Sequence, residues 1–253
     1  MLIAVGLLRR SLRPWSRTNT LRFSRRLVPA VFQSRPNRFL GVVLVEGVET
    51  LCFVPNPGRM KELLFRGARV YILPVKSDTR KTHYNLTLVD HHGILVSVDS
   101  SVPNKIIGEA VDRGIIEPFK EFHVEKAEYT FGESRLDFLL KSDSGKLLLE
   151  VKSCTLIRDR IALFPDAPTK RGRRHLRTLT EGLGKGRSAV LFLIQRPDVS
   201  SFRPNVETDP DFAASLKEAK EKGVEVYAYS SQVDFDGVFL GCRVPIDLRI
   251  MKS

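Results

Sequence analysis

Two carboxylates and an amine stand in this sequence at spacings that fit phosphate chemistry. Ser142-Asp143-Ser144-Gly145 is a turn sequence between two apolar runs that carry Asp137 on one side and Glu150 and Lys152 on the other. A two-residue loop at Asp143-Ser144 pairs Ser142 with Gly145. Counting outward from that pair sets Asp137 directly opposite Glu150 on one face, with Cβ atoms roughly 4.5–5.5 Å apart. Opposed like charges repel unless something neutralises them. Two hard carboxylate oxygens with room for water and phosphate oxygens describe a Mg²⁺ or Mn²⁺ site. Lys152, two residues beyond Glu150, faces the same side of its strand. An ammonium there orients or deprotonates the attacking water, or stabilises charge building on a phosphate. Glu109, on an expected helix beside Ile106, Ile107 and Ala110, is a candidate further ligand. The candidate metal ligands are therefore Asp137, Glu150 and Glu109, and the candidate catalytic residues are Lys152, Asp137 and Glu150.

Plainer alternatives stay open on the residue pattern alone. Glu-x-Lys recurs at Glu218-Ala-Lys220, where an expected helix makes it a solvated face. Asp137 could pair with Lys152 or Arg135, and Glu109 fits an exposed helix position. The three cysteines, Cys52, Cys154 and Cys242, and the five histidines form no ligand spacing. Zinc is not expected, nor is a nucleotide cofactor. Sparse, odd-numbered cysteine points to a reducing compartment, the cytoplasm in the first instance.

Charge is concentrated in two places. The chain carries a net +12, and residues 1–38 contain nine arginines and no acid before Glu46. The second concentration is Lys170, Arg171, Arg173, Arg174, Arg177, Lys185 and Arg187 against the lone acid Glu181. Basic charge localised on a near-neutral body suggests a polyanion site, with nucleic acid as the candidate partner. Lys170, Arg171, Arg173, Arg174 and Arg177 are the candidate nucleic-acid contacts, and a solvated helix face is the alternative. No apolar run approaches the ~20 residues needed to span a bilayer, so no membrane partner is expected. Residues 1–28, a short apolar run followed by Arg, Ser and Thr, have the profile of an organelle-targeting peptide for a mitochondrion or plastid. The alternative, slightly preferred, is an upstream start codon that prepends non-native residues to a body beginning near Leu21, and residues 1–37 are set aside as a basic extension.

The elements that must position these residues divide into two units. Residues 38–100 alternate as five short strands with one short helical stretch at Arg59 to Phe65, which fits an OB-like β-barrel. Residues 101–253 read as α/β: a helix closed by Gly114 and a three-strand meander from Phe122 to Ser153. A basic helix near Gly172 to Leu183 follows, then a strand at Ser188 to Ile194, a helix opened by Asp209-Pro210, and a strand at Val224 to Tyr229.

The order of Asp137, then Glu150-Val-Lys152 on the next strand, resembles the PD-(D/E)xK nuclease superfamily. More closely, residues 38–246 resemble the sugar fermentation stimulation protein A family. The matching segments include Pro55-Asn-Pro-Gly-Arg-Met60, Gly132-Glu-Ser-Arg-Leu-Asp137, Glu150-Val-Lys-Ser-Cys-Thr155 and Phe164-Pro-Asp-Ala-Pro-Thr-Lys-Arg-Gly-Arg-Arg-His175. The resemblance implies an N-terminal OB-fold, a nuclease-like C-terminal domain and DNA binding. The superfamily pattern implies metal ligation by Asp137 and Glu150, possible ligation by Glu109 and a catalytic role for Lys152. Two functions compete: a Mg²⁺- or Mn²⁺-dependent nuclease, and a non-catalytic DNA-binding regulator of sugar metabolism whose carboxylates are a vestigial or structural metal site.

Overall fold

The computed structural model describes residues 20–76 and 80–249. The targeting reading of residues 1–28 falls for the most part outside them. Strand β1 is Thr20–Arg22, followed by β2 (Val28–Asn37), β3 (Leu40–Val45), β4 (Val48–Phe53), β5 (Arg69–Pro74), β6 (Tyr84–His91) and β7 (Ile94–Ser97). Antiparallel pairing runs β4-β3-β2-β5-β6, and a parallel bridge between Phe53 and Asn85 joins β4 to β6. Five strands therefore close on themselves, with β7 added to β6 as a hairpin. This is an OB-type barrel, and closure removes the free edges that a five-strand sheet would otherwise expose. Its interior is filled by alternate residues, among them Phe32, Val43, Cys52, Val70, Ile72 and Leu86.

Setting residues 1–37 aside cut away a barrel strand. Val28–Asn37 is β2, paired with both β3 and β5, and β1 pairs with the last strand of the second unit. The arginine-rich, acid-free composition is blind to alternation, and among the described residues here Leu27, Ala30 and Phe32 are the buried ones, with Val28 packed beside them. The expected helical stretch at Arg59 to Phe65 is a turn, with the amides of Leu63 and Leu64 both donating to the Met60 carbonyl.

The second unit begins with α1 (Val102–Asp112), then β8 (His123–Phe131), β9 (Ser134–Ser142) and β10 (Gly145–Cys154). Two short strands, β11 (Ile157–Arg158) and β12 (Ile161–Phe164), lead to α2 (Lys170–Gly182), β13 (Arg187–Ile194) and β14 (Ser201–Pro204). Helix α3 (Pro210–Glu221), β15 (Glu225–Val233) and β16 (Gly237–Arg243) complete it. The main sheet runs β1-β16-β15-β13-β10-β9-β8, with β10, β13 and β15 mutually parallel at its centre. Strand β13 is buried on both faces, as a central parallel strand should be. Ala189, Leu191 and Leu193 pack with Ile106, Ile107 and Ala110 of α1, while Val190, Phe192 and Ile194 pack with α2 and α3. The product is a three-layer α/β domain whose sequence period of two along β13 serves two cores at once.

Two sets of hydrogen bonds lock the barrel to this domain. Ser97 donates its amide and hydroxyl to Gln195, and Gln195 Nε2 donates onward to the Asp99 carbonyl and to Ser153 Oγ. Within the barrel, Arg35 donates to the carbonyls of Arg38, Asn56, Gly58 and Arg59 and so braces the Pro55–Met60 turn. Asp166 accepts the Met60 amide at 3.1 Å, pinning the Pro55–Met60 turn to the α/β domain.

Candidate functional site

The β9–β10 hairpin forms around Ser142 and Gly145 in the register the turn chemistry dictates, continuing through Leu149 opposite Phe138. Asp137 and Glu150 come next in that register, but the paired ladder stops one step short of them. On the other flank, Glu128 adopts a φ of +50° between the pairs Ala127–Phe138 and Tyr129–Leu136. Leu136 and Phe138, which would share a face in a regular strand, pack into opposite cores here. The strand changes face at Asp137. The expected flat, side-by-side pair is thus a pair at the point where the two strands open. Local irregularities of this kind re-aim a side chain.

Each carboxylate is tied to a different helical layer. Asp137 Oδ1 accepts from Asn104 Nδ2 of α1 at 2.6 Å, and Oδ2 accepts the Val151 amide at 2.8 Å. Glu150 is buried on the α2 side, where its Oε1 is hydrogen-bonded by both Lys152 Nζ and His175 Nδ1. Lys152 Nζ also lies 3.4 Å from His175 Nδ1, and Arg171 Nε donates to His175 Nε2 at 3.3 Å. A polar chain therefore runs from the exposed N-terminal turn of α2 through His175 to Glu150 and Lys152.

The two carboxyls have opposite electrostatic fates. Burial, reinforced by the charge of Glu150, pushes Asp137 up to about 6 against the pull of the Val151 amide and Lys152. Burial also works against ionised Glu150, but Lys152 and His175 outweigh it and hold that carboxyl below its ordinary value. Glu150 is thus an anion at neutral pH, yet its Oε2 is buried with no hydrogen-bond partner. An unpaired buried anionic oxygen is costly.

The structure brings Asp137, Glu150 and Lys152 together and leaves Glu109 out. Glu109 is on the exposed side of α1 and pairs with Arg113 at 3.0 Å. The buried positions of α1 are 102, 103, 106, 107, 108, 110 and 111, and Glu109 falls off that stripe. Among the described residues no group of three or more His, Cys, Asp or Glu side chains is arranged to hold a metal. His175 is the site residue that sequence reasoning missed. Gly172, His175, Leu176 and Leu179 are buried at the i, i+3, i+4, i+7 spacing of an inward helix face, and that period was the available signal.

Helix α2 holds the basic residues on its outer side. Thr169 Oγ1 caps it by accepting the Gly172 amide, and the buried Asp209, which caps α3, also accepts the Thr169 amide. Arg173 is committed to Asp209 and Asp211, and Arg177 lies near Glu133 and Glu181. Lys170, Arg171 and Arg174 have no acidic partner among the described residues. Lys170, Arg173, Arg174 and Arg177 line a cleft of about 620 Å³ between α2 and α3.

Comparison with known proteins agrees with this architecture. Residues 34–98 match the model of the SfsA N-terminal OB domain, and residues 101–237 match that of the sugar fermentation stimulation protein RE domain. The chain belongs to the sugar fermentation stimulation protein family. A family homologue from Desulforamulus reducens is 46 % identical over 223 residues, covering 88 % of this chain and 93 % of the homologue. A second, from Moorella thermoacetica, is 46 % identical over 211 residues, covering 82 % and 91 %. The solved structure of Pyrococcus furiosus SfsA in complex with Ca²⁺ superposes with a TM-score of 0.84 at 30 % identity, covering 90 % of this chain and 98 % of that one. Among the described residues of this family member, no helix is long and apolar enough to cross a membrane.

Proposed function

We propose that this protein binds DNA and hydrolyses its phosphodiester bonds with a Mg²⁺ or Mn²⁺ ion held by Asp137 and Glu150. The observation that carries this reading is Glu150, a buried anion with one unpartnered oxygen, set beside a second carboxyl that burial and Glu150 itself make reluctant to ionise. A hard divalent cation answers both problems, since it supplies the missing partner and removes the repulsion. The Pyrococcus furiosus relative described in complex with Ca²⁺ supports a hard-cation site in the family. A divalent cation so held supplies positive charge to a phosphate oxygen and lowers the pKa of water for attack at phosphorus.

The chain's own groups do the rest. Asn104 and the Val151 amide fix the orientation of Asp137. His175 and Lys152 fix Glu150. The Lys152 ammonium, with its side chain 13 % exposed, is held where charge develops on the phosphate and is little screened by water. Lys170, Arg171 and Arg174, free of acidic partners among the described residues, contact the flanking backbone. The test is incubation of labelled single-stranded, duplex and branched DNA with and without Mn²⁺. Cleavage that requires the metal and is lost in Asp137→Ala supports the reading. A second reading, a DNA-binding regulator without catalysis, is favoured by Glu109 turning away to Arg113, which leaves only two carboxylates. Metal-independent DNA binding with no cleavage of any substrate would select it.

A further inference from the structure

The barrel carries an aromatic surface that the α/β site does not use. Phe39, 42 % exposed in the connection from β2 to β3, lies nearly parallel to Phe53 at the end of β4, with an interplanar angle of 17° and ring centroids 6.1 Å apart. Each ring has a guanidinium over it: Arg38 is 5.4 Å from the centroid of Phe39, and Arg80 is 5.8 Å from that of Phe53. Among the described residues neither arginine is paired with a carboxylate, and Arg80 makes only a long contact to Asn85. Leu51, two residues before Phe53 on the same face of β4, is also exposed at 45 %. The acidic residues of this hairpin, Glu46 and Glu49, lie at its far end, because Leu40 pairs with Phe53 and Leu44 pairs with Glu49.

The exposed ring of Phe39 costs hydration energy, and covering it and the half-buried Phe53 with an apolar protein face would leave two arginines to be desolvated without counter-charge. One ligand chemistry meets every element at once. A single-stranded nucleic acid offers unpaired π-faces to the rings and phosphates to the guanidinium groups. A duplex hides those faces within its stack. The positions involved, the β2–β3 connection, the end of β4 and Arg80 shortly before β6, are also where barrels of this kind can accept an oligonucleotide.

We propose that Phe39 and Phe53, flanked by Arg38 and Arg80, form a stacking platform for single-stranded DNA. This names the substrate class for the proposed site, and so rests on that reading for its link to cleavage but not for binding. The link is short along the chain. Phe53 is three residues from Asn56, and Asn56 lines a small cavity at the domain junction with Ser153, next to Lys152. Three extended residues span at most about 10 Å.

The test is fluorescence anisotropy in EDTA, where metal-dependent cleavage plays no part, with a labelled oligothymidine, an abasic strand of equal length and a duplex. The wild type should bind the oligothymidine more tightly than either of the others. Phe39→Ala and Phe53→Ala should each weaken oligothymidine binding about tenfold or more while leaving the abasic strand unchanged. Phe39→Trp should restore affinity. Arg38→Ala should weaken both strands and flatten the salt dependence by roughly 0.7. Unchanged affinity in the phenylalanine variants, or equal wild-type affinity for the abasic strand, would overturn the platform. A wild-type dimer that Phe39→Ala dissociates without loss of DNA affinity would assign the face to a second copy instead. A protein that passes this test and cleaves nothing in Mn²⁺ refutes the nuclease reading alone.

Discussion

The Asp137 carboxyl holds its proton more tightly in the folded chain than in the unfolded one, because burial and Glu150 raise it to about 6. Ionised Asp137 therefore weakens the metal-free fold above about pH 6, and the penalty fades as pH falls toward the ordinary carboxyl range. Metal-free Asp137→Asn should be more stable than the wild type at pH 7.5, by roughly 1–3 kcal/mol once the altered hydrogen bonds are counted. Denaturant melts in EDTA at pH 7.5 and pH 4 measure this, and an advantage that persists at pH 4 would assign it to something other than charge. Mn²⁺ should raise the Tm of the wild type by competing with that proton, with a shift that shrinks as pH falls through 6 and is much smaller in Asp137→Asn. At this scale the sequence was informative about Asp137, Glu150 and Lys152, because a turn and a period of two place residues on strands. It was not informative about His175, whose partner is 25 positions away in sequence, and which only the inward stripe of α2 could have singled out.

Elements decide which basic residues are free to meet a ligand. On composition, the five basic residues at 170–177 were equivalent candidates; in the structure they divide. Arg173 ties α2 to the buried cap Asp209, so Arg173→Ala should cost stability, roughly 1–2 kcal/mol in denaturant melts. Lys170 and Arg174 project into the cleft between α2 and α3 without acidic partners among the described residues. Replacing both with Ala should leave stability within about 0.5 kcal/mol. It should also flatten the plot of log K against log salt by roughly 0.7–0.9 for each phosphate that is no longer neutralised, equally for every DNA sequence. An unchanged slope would make α2 a solvated face. The hairpin register was legible because its turn is only two residues long. The face change at Asp137 was not: it lies across from Glu128 of the neighbouring strand, at positive φ, and no local pattern in β9 or β10 announces it. Glu109 was misplaced for a simpler reason: it lies one position off the inward stripe of α1.

At the scale of the molecule, the barrel and the α/β domain were both legible from strand counts and turn chemistry. Their common framework was less so. Strand β2 was hidden inside an arginine-rich stretch, and β1 and β16, which pair the two ends of the described chain, lie where composition offered no alternation strong enough to read. The domains meet through Gln195 and Asp166, and such long-range polar contacts leave no mark in local sequence. The junction places the Pro55–Met60 turn beside the end of β10, where Asn56 lines a cavity with Ser153 and Cys154. The central claim is that Asp137 and Glu150 hold a divalent ion that serves phosphodiester cleavage. Its most direct test is single-turnover cleavage of labelled single-stranded DNA by the wild type and by Asp137→Ala, each in Mn²⁺ and in EDTA. The account predicts cleavage by the wild type in Mn²⁺ alone and a loss of at least a hundredfold in Asp137→Ala, about 2.7 kcal/mol or more of transition-state stabilisation. Equal cleavage by the two proteins in Mn²⁺, or no cleavage by a wild type that binds the DNA, would contradict it.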